Sequence, residues 1–241
     1  MGRVSFDNYG RWARGGRLSP TMMAGRYQSQ ADAEKLILSD VLSKMALGPA
    51  DDVIDIGCGS GLLLIPLSGL VRTVTGVDHP DVVDRLQRRF SAPSVAFIGG
   101  NFLDLDIDRK FSAAVAYGVV NYMSTVYELH AFVDKAVDLL APNGRLLIGD
   151  IPNQDKKRRF LSTEAGRSFD QRWREQMRGL PQSDAPEGPV DRHLLVYTDE
   201  IVLELVLRLR RGGLDVHVLP QPSDLPFGWT REDILVTRMP A

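Results

Sequence analysis

Val53-Ile54-Asp55-Ile56-Gly57-Cys58-Gly59-Ser60-Gly61 is the stretch on which the fold turns. Val53–Ile56 is a short apolar run ending in glycines, which reads as a buried strand. Glycines on alternate positions let the backbone turn sharply and approach a ligand with no side chain in the way. The apolar run Leu62–Leu70 that follows is of helix length. The spacing is not the dinucleotide fingerprint G-x-G-x-x-G, because Leu62 follows Gly61. Thr73–Val77 is β-branched and ends at Asp78, where a carboxylate can accept hydrogen bonds from ribose hydroxyls.

The alternation continues along the chain. Asp81–Phe90 has helical spacing, and Val95–Ile98 and Ser112–Ala116 are short strands. In Thr125–Leu140, Leu129, Phe132, Val133, Ala136, Val137 and Leu140 share one face, and Thr125 with Glu128 predicts a capping box. Pro142-Asn143-Gly144 ends that helix and Arg145–Gly149 is the next strand. A helix over Thr198–Arg211, capped by Thr198 and stopped by Gly212-Gly213, precedes strands at Val216–Leu219 and Ile234–Thr237. Such a pattern predicts an α/β fold: a seven-stranded, mainly parallel sheet with helices on both faces. Ligands then bind at the carboxyl ends of the strands.

Composition narrows the function. The 241 residues suit one domain, with 1–30 as an N-terminal arm or lid and 154–196 as an insertion after the fifth strand. The formal net charge of -2 supplies no global field toward nucleic acid or anionic membrane. One cysteine, Cys58, excludes an internal disulfide and a Cys-rich zinc site. Neither a secretory leader nor a membrane span is read in the chain, and a cytoplasmic protein is expected. Asp104, Asp106 and Asp108 alternate with Leu105 and Ile107, as a solvated edge does.

Asp55-x-Gly57-x-Gly59-x-Gly61, followed by Gly76-Val77-Asp78, resembles the class I methyltransferases that use S-adenosylmethionine. The resemblance implies a Rossmann-like fold and an ordered series of motifs from about Ala50 to Thr237. It places Gly57, Cys58, Gly59 and Gly61 against the methionine part and ribose, and Asp55 near the cofactor's amino group. Asp78, with His79 beside it, falls at the ribose hydroxyls. Asn101 and Phe102 fall at the adenine, as acceptor and apolar face. Tyr117 belongs to the segment lining the sulfonium end.

The reaction implied is methyl transfer to a small-molecule acceptor by in-line displacement, where positioning supplies much of the rate. A base is needed only if the nucleophile must lose a proton. Asp150, at the end of the fifth strand, is one candidate for base or substrate anchor; it reads equally as a loop carboxylate capping the next helix. His193, with Tyr197 four residues on, is the other candidate catalytic residue. No metal is expected, since Tyr117 and Asp150-Ile151 stand where metal-assisted relatives carry ligands. Phe169, Trp173 and Met177 recur at helical spacing within the basic insertion, which reads as a solvated face or as a lid over an anionic acceptor. Gly149–Leu161 and Thr230–Leu235 look like methyltransferases encoded with bacterial surface-polysaccharide enzymes, which implies a sugar or nucleotide-sugar acceptor. Competing readings are a protein or RNA methyltransferase acting through the insertion, an NAD-linked oxidoreductase, and a non-catalytic interaction module.

Overall fold

The computed structural model describes residues 3–15, 19–178 and 193–240. Seven strands form one sheet: β1 (Asp52–Ile56), β2 (Thr73–Asp78), β3 (Val95–Gly99), β4 (Phe111–Tyr117), β5 (Leu140–Pro152), β6 (Leu214–Pro220) and β7 (Arg231–Arg238). Their order is β3-β2-β1-β4-β5-β7-β6, with only the pairings of β7 antiparallel. The chain moves outward from β1 through β2 to β3 and then returns to β4 on the other side of β1. The carboxyl ends of β1 and β4 therefore flank the switch point, where open α/β sheets take their ligands.

Strand alternation feeds two cores. Val53, Val74, Ala113, Val115 and Leu147 point to one face, covered by α4 (Ile37–Met45), α5 (Leu64–Leu67) and α6 (Pro80–Arg89). Ile54, Ile56, Ala114, Ala116, Leu146 and Ile148 point to the other, covered by α7 (Val126–Asp138) and α10 (Asp199–Arg211). The remaining helices lie at the arm and the insertion: α1 (Arg3–Gly15), α2 (Pro20–Met23), α3 (Ala31–Glu34), α8 (Gln154–Ser162) and α9 (Glu164–Arg178). Asp104, Asp106 and Asp108 are exposed while Leu105 and Ile107 pack on the core. Among the described residues no helix is long and apolar enough to cross a membrane.

Local differences from the sequence reading have local causes. The helix read over Leu62–Leu70 shrinks to Leu64–Leu67, with turns on either side. Thr125 caps α7 by accepting from the Glu128 amide, but the Glu128 carboxylate accepts from the Ser124 amide rather than from Thr125. The loop read at Leu180–Val190 lies outside the described residues.

One buried ion pair fastens α4 to the antiparallel edge. Lys44 Nζ lies 2.6 Å from both Asp40 and Asp233, and Asp233 is fully buried. Asp233 Oδ1 also accepts from the Asp150 amide and from Gln221 Nε2, each at 2.8 Å. Removing one partner of such a pair strands the other charge in the interior, at a cost of about 3–5 kcal/mol. Lys44→Met should therefore lower unfolding free energy by about 3 kcal/mol in urea titration; a loss below about 1 kcal/mol would show that the pair does not hold the fold.

Candidate active site

A cleft opens at the switch point. Its floor is Asp55, Gly57, Cys58, Gly59, Ser60 and Asp78, and its far wall is Tyr117, Gly118, Val119 and Tyr122. Ala24 and Arg26 of the N-terminal arm close it from above. The glycine loop is shaped by two demands. At Gly57, φ is +79° and a Cβ would lie 2.5 Å from Val119 Cγ2. At Gly59, φ is +51° and a Cβ would meet nothing closer than 3.9 Å, so the loop turns bare backbone toward open space.

The floor carries two carboxylates and no cation. Asp78 is held by the amides of Gly59 and His79, at 2.7 and 2.6 Å. Burial raises its pKa, and those two amides oppose the rise. Asp55 is only 3% exposed and its Oδ2 has no hydrogen-bond partner. Burial first, and then the charge of Asp78, push Asp55 up to about 7, against the opposing Leu64 backbone amide. Burial also pushes the Cys58 thiol well up, which keeps it protonated and inert. A buried carboxylate oxygen without a partner calls for a donor, best a cationic one. A ligand with an ammonium and ribose hydroxyls fits this floor; the pyrophosphate of a dinucleotide would meet two carboxylates.

Opposite the floor lies a polar layer that sequence reasoning only half found. Asp150 is 5% exposed with φ +65°, an uncommon conformation for a residue with a side chain. The bland reading of Asp150 is corrected: Asn153 caps α8 by accepting from the amides of Asp155 and Lys156. Asp150 Oδ2 instead lies 3.4 Å from Arg26 Nη2, and Arg26 also donates to Glu34 at 2.9 Å. Asp150 Oδ1 has no hydrogen bond and lies 3.9 Å from Arg231 Nε. Arg26 Nε is buried without a partner as well. Nothing periodic marks Arg26 in the sequence; its only local signal is Gly25, which takes φ +72°.

Other candidates are placed elsewhere. His79 caps α6 through the Asp81 amide and packs 4.6 Å from the Phe6 ring of α1, outside the cleft lining. Phe102 is buried edge-on against Phe132, with Lys135 over its ring, so its face is taken. Asn101 Oδ1 accepts from the Leu103 amide and does not line the cleft. His193 is exposed in a turn and lines no cavity described here. Tyr197 is buried, its hydroxyl donating to Val120 O. In the insertion, Arg158 pairs with Asp155, Arg159 with Asp199 and Arg174 with Asp170. The arm reaches the insertion where Tyr27 packs edge-on to Trp173 at 5.2 Å; the side chains of Tyr9 and Trp12 lie outside the described residues.

Residues 53–144 match the family model of a methyltransferase domain. That match spans the glycine loop and both floor carboxylates, Asp55 and Asp78. The chain is 25% identical over 125 residues to nodulation protein S of Rhizobium tropici, covering 51% of this chain and 50% of that one. It is 31% identical over 126 residues to the mitochondrial ubiquinone biosynthesis O-methyltransferase of Arabidopsis thaliana, covering 50% of this chain and 38% of that one. The chain thus spans half or less of these curated relatives. Its fold is similar to that of Haemonchus contortus phosphoethanolamine N-methyltransferase 1, solved with phosphoethanolamine and S-adenosylhomocysteine. The TM-score is 0.71 at 18% identity, over all of this chain and 50% of that one. The N-methyltransferase NodS of Bradyrhizobium japonicum WM9, solved with S-adenosylhomocysteine, gives 0.58 at 16% identity, over 98% and 100% of the two chains. The donor used in this family is S-adenosylmethionine.

The ionisation of Asp55 has a measurable consequence for the ligand-free protein. Between about pH 4 and 7 the folded state holds a proton that the unfolded chain has lost. Stability contributed by this group therefore falls as pH rises through that window, by about 1.4 kcal/mol per unit, and levels above about 7. Asp55→Asn lacks this slope, so its unfolding free energy should gain on wild type from pH 5 to 7. A difference that stays constant over the window would mean that Asp55 is already ionised in the fold.

Proposed function

We propose that the protein binds S-adenosylmethionine in the cleft and catalyses transfer of its methyl group to a small-molecule acceptor. The observation that carries this reading is the pair Asp55 and Asp78 beneath the glycine loop, one carboxylate without a partner and the other anchored by backbone amides. Asp55 would take the cofactor's ammonium and Asp78 its ribose hydroxyls. Backbone from Gly57 to Gly61 would lie along the ligand, with Tyr117 and Gly118 at the reacting end. When bound, the donor supplies a methyl group on a positively charged sulfur, ready for displacement.

The protein's task is to hold the acceptor in line behind that methyl group and to receive a proton where the acceptor has one to lose. Asp150 Oδ1 is the open acceptor atom on that side. The neighbouring Arg26 guanidinium, 3.4 Å from Oδ2, fixes the direction of the carboxylate. Asp150 would receive the proton that the acceptor loses as it takes the methyl group. His193 has no comparable place. A sugar or nucleotide-sugar remains the acceptor class in view, as the likeness of Gly149–Leu161 and Thr230–Leu235 implies. The arginines paired within the insertion weigh against an RNA substrate, whose binding needs basic groups for phosphate. The insertion and the arm, joined through Tyr27 and Trp173, would serve as the cover over the acceptor.

Calorimetry should show binding of S-adenosylmethionine and S-adenosylhomocysteine and none of NAD; binding of NAD alone would sink the reading. Asp78→Ala should weaken S-adenosylhomocysteine by about 1.5–3 kcal/mol, the scale of hydrogen bonds to a charged group, with the far-ultraviolet spectrum unchanged. Asp150→Asn should lower kcat and leave donor affinity in place, and an unchanged kcat would remove Asp150 from the chemistry.

A further inference from the structure

A second cavity is lined by residues of the arm, the insertion and the segment before β7. Phe160 of α8, Phe169 and Trp173 of α9, and Phe227 and Trp229 of the segment before β7 converge on it from three separated stretches of chain. Phe160 and Trp229 lie nearly parallel, 5.0 Å between centroids, and Trp173 meets Phe227 edge-on at 6.0 Å. Arg231 links the cavity wall to Asp150. Arg231 sits with its guanidinium 5.1 Å from the Phe227 centroid and its Nε 3.9 Å from Asp150 Oδ1.

Two of these rings are left unfinished. Trp229 is 49% exposed and Phe169 40%, although both belong to the cavity wall. Large apolar faces held in order beside water are what a ligand's own apolar face would cover. The wall offers π faces and edges, which favour a ring over a flexible chain, because ring–ring contacts are geometrically specific. At the rim, Lys157 has no ion-pair partner among the described residues, whereas Asp170 is paired with Arg174.

We propose that this cavity anchors the acceptor by stacking a flat-faced ring of it on the exposed outer face of Trp229, whose inner face Phe160 covers, so that the group to be methylated reaches Asp150 across Arg231. The inference rests on the methyl-transfer reading above and names the acceptor class: a molecule carrying a ring with an apolar face. An aromatic ring, a nucleobase and a pyranose share that chemistry. One set of titrations separates them.

The protein is first saturated with S-adenosylhomocysteine and then titrated calorimetrically with 2-naphthol, uridine and methyl glucoside. At least one should bind, and Trp229→Ala should weaken it by about tenfold or more with the S-adenosylhomocysteine affinity unchanged. Phe160→Leu, which keeps apolar volume and removes the π face, should weaken it in the same direction. The probe that binds tells which source of ring the site takes. Failure of all three to bind the loaded protein, or binding indifferent to both substitutions, overturns the acceptor site. Failure of S-adenosylhomocysteine itself to bind would overturn the methyl-transfer reading on which it rests.

Discussion

A carboxylate without a counter-charge, buried where β1 ends, is the constraint on which the site depends. In water Asp55 would be ionised at neutral pH; here burial and the charge of Asp78 raise it to about 7. The fold tolerates it because β1 is central, flanked by β2 and β4, so that the strand's hydrogen bonds and apolar neighbours fix Asp55 regardless. An interior group left this way is a reservoir of binding free energy for a cationic ligand. The glycine loop serves the same end, since side chains at Gly59 would occupy the space above the carboxylates.

Across the cleft, polar groups are tied together rather than left open. Lys44, Asp233, Asp150, Arg26 and Glu34 form a continuous buried run from α4 through the antiparallel edge to the arm. Through the Asp150 amide, Asp233 holds a residue in a left-handed conformation that would otherwise be disfavoured. The arm is thus attached to the acceptor side by charge, while α1 packs over His79 on the donor side. Removing the arm would take away Ala24 and Arg26, its two residues in the cleft lining.

The floor of the cleft was legible in the sequence because it is local: one strand, one glycine loop and the acid ending the next strand lie within 26 residues, 53–78. All seven strands were legible as apolar runs, but β5 starts at Leu140 and runs through Pro142-Asn143-Gly144, which read as the turn before a strand at Arg145. The acceptor half was not. Arg26, Asp150 and Arg231 are brought together over long sequence separations by the order β5-β7 and by the arm, and no spacing records that. Phe102 misled because its place in sequence suits adenine, whereas packing on α7 claims its ring. The helical spacing of Phe169 and Trp173 was plain, but their partners Phe227 and Trp229 come from a segment with no periodicity at all.

The central claim is that Asp55 exchanges a proton for the cofactor's ammonium. Calorimetry of S-adenosylmethionine binding at pH 6, in two buffers of different ionisation enthalpy, counts the protons released. With Asp55 raised to about 7 in the free protein, between about one half and one proton should appear in solvent on binding, and Asp55→Asn should release none. Binding with no proton release by the wild type, or release that persists in Asp55→Asn, would contradict the account.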